Sequence, residues 1–99
     1  MSKLKLKITK QAQSDIKQII EYISKDNKKA ARETALYLYE ICRNLAEFPQ
    51  MGVSRPDFTN KNYRFFTIKN RYIIVYKIDN EFIYIARLLT NWQDICRLL

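Results

Sequence analysis

The chain contains no histidine, one glycine, two prolines and two cysteines in 99 residues. Each scarcity removes a class of chemistry. Without histidine there is no imidazole general base, no serine–histidine triad and no ordinary zinc site. A single glycine, Gly52, cannot build a glycine-rich phosphate loop. Two cysteines, Cys42 and Cys96, make no disulfide framework. Cys42 falls on the apolar side of a helical pattern, so a buried free thiol is expected. No apolar run is long enough to span a membrane. The N-terminal alternation of Lys and Leu is not a signal peptide. The sequence therefore predicts a cytoplasmic protein without metal or cofactor, and its length predicts one domain over 1–99.

Acidic residues are also missing where it matters most. None occurs between Asp57 and Asp79, while Lys61, Arg64, Lys69, Arg71 and Lys77 fall in that interval. From Gln11 to Gln50 acids and bases balance, so the net charge of +8 resides in the N-terminal strand and the C-terminal half. A one-sided field of this kind favours an acidic partner, either nucleic acid or an acidic protein segment.

What is present patterns cleanly. Leu4, Leu6 and Ile8 alternate with Lys3, Lys5 and Lys7, the period of a half-buried strand with a charged outer face. Thr9 is a helix N-cap in position and chemistry. Ala12, Ile16, Ile19, Ile20 and Ile23 follow at helical spacing. After a break at 24–27, where Asp26 or Asn27 can cap, a second helix carries Ala31, Ala35, Leu38, Cys42 and Leu45. Leu36, Tyr39, Ile41 and Phe48 widen its stripe. Pro49 and Gly52 end it. Val53 to Asn62 reads as a polar connection. Three runs rich in Tyr, Phe, Ile and Val then follow, 63–68, 71–78 and 82–89, separated by short turns. The expected class is α+β: an N-terminal strand, an antiparallel helical hairpin and a three-stranded antiparallel meander. The helices cover one sheet face, and the other face is expected to be free. The tail from Thr90 to Leu99 reads as a short helix or a strand.

Arg, Lys and Tyr are the residue types left for chemistry. They position and stabilise phosphate, and can support RNA cleavage without histidine. The candidates are Arg64, Arg71, Tyr72, Tyr76 and Arg87. Tyrosines on a sheet commonly pack the ring and keep the hydroxyl wet. Arg87 is sharper, because it interrupts an apolar strand and must reach water, an acid or a ligand. Trp92 in the tail is a core anchor or an exposed contact. A basic face with interleaved aromatics suits a single-stranded nucleic acid or an amphipathic helix with acidic flanks.

Several segments together resemble the RelE/ParE superfamily of bacterial toxins. Ala12-Gln13-Ser14-Asp15-Ile16 with Ile19 and Tyr22-Ile23 is similar to the first helix of the ParE branch. Asn27 with Ala30-Ala31 is similar to its second-helix start, with Lys28 where Pro is usual. Phe48-Pro49-Gln50-Met51-Gly52 resembles its helix-ending motif, followed by Arg55. Tyr63-Arg64, Tyr72 to Tyr76 and Ile85 to Leu89 resemble its three strands. The resemblance covers nearly the whole chain. It implies a type II toxin, on a plasmid-stabilisation or chromosomal module, wrapped by the acidic, amphipathic C-terminal segment of a cognate antitoxin. ParE-type toxins poison DNA gyrase, whereas RelE-type toxins cleave mRNA in the ribosome.

The residues discriminate between the branches. Arg64 can stand for one basic residue of the RelE sheet, but the next falls at Ile73 and the C-terminal Arg falls near Trp92. No Tyr follows Tyr84. This favours the ParE branch and action by binding, with no catalytic residue. The ParE ending, His-Gly-Arg-Arg/Gln-Asp, corresponds to Thr90-Asn91-Trp92-Gln93-Asp94, which keeps Gln93 and Asp94. The expected contacts with target or antitoxin are thus Arg64, Arg71, Tyr72, Tyr76, Arg87, Trp92, Gln93 and Asp94. The alternatives are a RelE-like endoribonuclease using Arg64 and Arg87, or an inactive relative that only binds an antitoxin.

Overall fold

The computed structural model describes residues 4–55, 62–69, 71–90 and 97. Strand β1 (Lys5–Ile8) leads into helix α1 (Lys10–Ser24), helix α2 (Lys28–Glu47) and a 3-10 turn (Pro49–Met51). Strands β2 (Val53–Ser54), β3 (Arg64–Ile68), β4 (Tyr72–Ile78) and β5 (Phe82–Leu89) complete it. They form one five-stranded sheet in the order β1-β5-β4-β3-β2. The contacts between β2 and β3, β3 and β4, and β4 and β5 are antiparallel, and β1 joins β5 in parallel. A parallel pair needs a long crossover, and the helical hairpin together with the meander supplies it.

Capping follows the sequence. Thr9 accepts from the Ala12 N–H, and of the two candidates for the second helix it is Asn27 that caps, accepting from Ala30. The main core lies between hairpin and sheet. Ala12 and Ile16 of α1 and Leu38, Cys42, Leu45 and Ala46 of α2 close on Ile74, Tyr76, Ile83, Ile85 and Leu88. Burial pushes the Cys42 thiol up to about 11, against a smaller opposing pull from Arg43.

Three expectations need correction. The connection after Gly52 contains strand β2, too short to show a period of its own. The face opposite the helices is not wholly free, because Phe65, Ile73, Val75 and Leu89 form a second buried cluster there, with Tyr63 beside it. Leu36, Tyr39 and Phe48 do not widen the inward stripe of α2: they are exposed, Leu36 at 64% and Phe48 at 58%. The apolar arc of α2 is narrower than its composition suggests.

Between Val75 and Tyr76 the register of β4 against β5 shifts, so that Val75 faces Arg87 and Tyr76 faces Ile85. Ala86 is the extra residue of this bulge. Bulges re-aim the side chains beside them, and here Arg87 falls out of phase with Ile83 and Ile85 while Leu88 takes the next core position.

Candidate functional site

The eight candidate contacts separate into three groups. Arg71, Tyr72 and Arg87 come together. Arg64 and Tyr76 meet elsewhere. Trp92, Gln93 and Asp94 lie outside the described residues, as does most of the tail.

The first group lines an open cleft of about 720 Å3 between α1 and the ends of β4 and β5. Arg71 is exposed at the turn into β4, and Tyr72 is half-buried beside it. Tyr22, 75% exposed on the last turns of α1, forms the opposite wall, and Arg97 also reaches the cleft. Three arginines, one exposed aromatic and one half-buried aromatic therefore surround one concave surface.

Arg87 is held from below. Its Nε donates to Asp15 Oδ2 at 2.8 Å and its Nη2 donates to Asp15 Oδ1 at 3.1 Å. The Leu88 N–H donates to the same Oδ2 at 3.0 Å. The physical reason lies in the sheet edge. Strand β1 pairs only with Phe82–Ile85, so the second half of β5, paired with β4 on one side, has no strand among the described residues on the other. Thr9 takes up the carbonyls of Ile85 and Ala86 through its hydroxyl, 3.0 Å from each. Asp15 takes up the next N–H and the guanidinium. Of the three possibilities open to Arg87, an acid is the one realised.

The second group fastens the helix-ending motif. The Tyr76 hydroxyl donates to the Pro49 carbonyl at 2.7 Å and accepts from the Gly52 N–H at 2.8 Å. Arg64 Nη2 donates to the Gly52 carbonyl at 2.7 Å, while its Nε is buried with no partner among the described residues. Gly52 has an ordinary φ of −80°, so left-handed backbone is not its purpose. A Cβ there would lie 2.7 Å from Tyr76 Cε1 and 2.9 Å from Cζ. The lone glycine exists to let the tyrosine ring approach. Tyr76 is 0% exposed, so the expectation of a wet hydroxyl and a surface contact is corrected: the ring is core and the hydroxyl is a clasp.

Sequence reasoning missed Asp15, Tyr22 and Arg97 as parts of the cleft. A signal for Asp15 was present. It stands three residues after Ala12 and four before Ile19, inside the apolar stripe of α1, as Arg87 stands inside an apolar strand. An acid and a base misplaced in two apolar patterns are natural partners. Among the described residues no cluster of His, Cys, Asp and Glu could hold a metal ion, and no helix is long and apolar enough to cross a membrane.

With this geometry established, the comparisons identify the lineage. Residues 6–95 match the family model of the ParE toxin of type II toxin–antitoxin systems, parDE, and the chain belongs to that family. A solved structure titled as the chromosomal ParDE toxin–antitoxin system from P. aeruginosa has a similar fold, with a TM-score of 0.74 at 20% identity. The match covers 88% of this chain and 95% of that one. No curated protein matches the sequence.

Proposed function

We propose that the protein is a toxin that inhibits DNA gyrase by binding it, and that a cognate antitoxin neutralises it by laying an acidic, amphipathic C-terminal segment into the arginine-lined cleft. Family membership supports the toxin role. The choice of binding over catalysis rests on one observation: Arg64 and Arg87, the residues that would carry RNA cleavage, are each hydrogen-bonded inward, to Gly52 and Asp15. Groups committed to the scaffold are poor proton shuttles and poor phosphate clamps. The cleft itself suits an acidic helix, with guanidinium groups for carboxylates and Tyr22 and Tyr72 for apolar side chains.

This placement also changes how the ribonuclease alternative is tested. Alanine at Arg64 or Arg87 would not separate catalysis from structure, because both side chains are hydrogen-bonded to the scaffold. Arg71 is exposed and is the informative position.

The test in cells is controlled expression of the toxin, followed by the topology of a reporter plasmid and the integrity of translated mRNA. Relaxed or cleaved plasmid with intact mRNA, reversed by co-expressed antitoxin, is the expected result. Cut mRNA on normally supercoiled plasmid would overturn the proposal.

A further inference from the structure

The sheet face away from the helices carries a row of side chains that the cleft does not use. The strand registers align Lys7 with Tyr84 and Tyr84 with Lys77. Arg64, the first residue of β3, pairs with Tyr76, and Tyr63 just before it lines the same depression as Lys77. Cation and aromatic thus alternate across four chain segments: Tyr63, Lys77, Tyr84, Lys7. Beside this row, Phe82 faces Lys5, and the rings of Phe82 and Tyr84 lie 5.8 Å apart at 35°. Lys7 Nζ sits 4.7 Å from the Phe82 ring centroid and Lys5 Nζ 5.8 Å.

These residues stand on the face that also carries the second cluster, against which Tyr63 packs, opposite the main core. Leu6 and Ile8 pack against it on one side of β1, and Ile83 and Ile85 do so on one side of β5, so their neighbours face outward. Lys5, Lys7 and Lys77 are exposed, and Tyr84 and Phe82 are half-buried. Tyr63, Lys77 and Tyr84 also line an open depression of about 380 Å3, together with Thr9, Ala86 and one acid, Asp79. Edge lysines alone are accounted for by protection of β1 from pairing. Lys77 is not on an edge strand, and protection does not require aromatic rings between the cations.

We infer that this face is a binding platform for single-stranded nucleic acid, separate from the cleft. Sequence-tolerant single-strand binders combine cations that track phosphates with aromatic rings on which bases stack. A purely acidic peptide such as polyglutamate would use the lysines and leave the rings idle. A duplex presents no unstacked base to Tyr84 or Phe82.

The test is fluorescence anisotropy of the full chain with a labelled single-stranded oligonucleotide, the same sequence as a duplex, and a polyglutamate peptide, each over a series of salt concentrations. The single strand should bind most tightly. Tyr84→Leu should weaken it roughly 5- to 150-fold, the range for losing one base stack. A double Lys7→Gln, Lys77→Gln variant should lower the slope of log affinity against log salt by about 1.4. All three positions face outward, so circular dichroism should be unchanged. Duplex or polyglutamate binding as tight as the single strand, an unaltered affinity in Tyr84→Leu, or no single-strand binding at low salt would each overturn the inference.

Discussion

Arg87 and Asp15, 72 residues apart in sequence, form a two-pronged ion pair that ties helix α1 to the edge of β5 that β1 leaves uncovered. Their side chains are 20% and 10% exposed. The carboxylate also holds a backbone N–H of that edge. The pair therefore does three things at once: it closes the sheet edge, docks the helix and floors the cleft.

Removing one partner leaves the other charge nearly buried. Asp15→Ala should destabilise the protein by about 2–4 kcal/mol, at the level of breaking a largely buried pair. Asp15→Ala, Arg87→Ala and the double variant form a thermodynamic cycle. Chemical denaturation should give a coupling between the two sites of about 1–3 kcal/mol. Additive losses would remove the pair from the account of stability.

The clasp on the helix-ending motif makes a second prediction. Tyr76→Phe keeps the ring but leaves the Pro49 carbonyl and the Gly52 N–H without their partner. The expected loss is about 1–3 kcal/mol by equilibrium unfolding. Gly52→Ala should lose a similar amount, because a methyl group meets the Tyr76 ring.

Cys42 should be chemically silent. Burial holds its thiol near 11, above the ordinary 9.0. In a Cys96→Ser background, native protein should not react with a thiol reagent at neutral pH, whereas denatured protein should. The linkage has a definite sign. The contribution of Cys42 to stability is full below pH 9 and is lost as pH rises towards 11, because the unfolded thiol ionises first. Rapid labelling of the native thiol at neutral pH would contradict its burial.

The cleft makes a prediction about salt. An acidic antitoxin segment bound among arginines should dissociate faster as ionic strength rises. Arg71→Glu, a charge reversal at an exposed position, should weaken antitoxin binding at least 10-fold, about 1.4 kcal/mol, by calorimetry, with the thermal midpoint unchanged. Salt-independent affinity would remove electrostatics from the recognition.

Much of the fold was legible in the sequence because the longer strands and both helices carry their own periods and the helices their own caps. The Lys–Leu alternation set the exposed face of β1, Thr9 and Asn27 set the helix starts, and Pro49 with Gly52 marked the end of α2. Partnerships between distant residues were less legible. Arg87 announced that it needed a partner, but Asp15 was recognisable only as an acid inside an apolar stripe. The bulge at Ala86, which takes Arg87 out of phase with Ile83 and Ile85, depends on how two strands align and leaves no mark in either one. Tyr76 read like any strand tyrosine, and its burial follows from a contact with the sole glycine. The second buried cluster was hidden by the same ambiguity, since Phe65, Ile73 and Val75 suit either face of a central sheet.

The central claim is inhibition of gyrase by binding, and a supercoiling assay with purified, antitoxin-free protein tests it most directly. Rising toxin should abolish supercoiling and trap cleaved DNA, and stoichiometric antitoxin should restore full activity. Undiminished supercoiling without cleaved DNA, at toxin in large excess over gyrase, would contradict it.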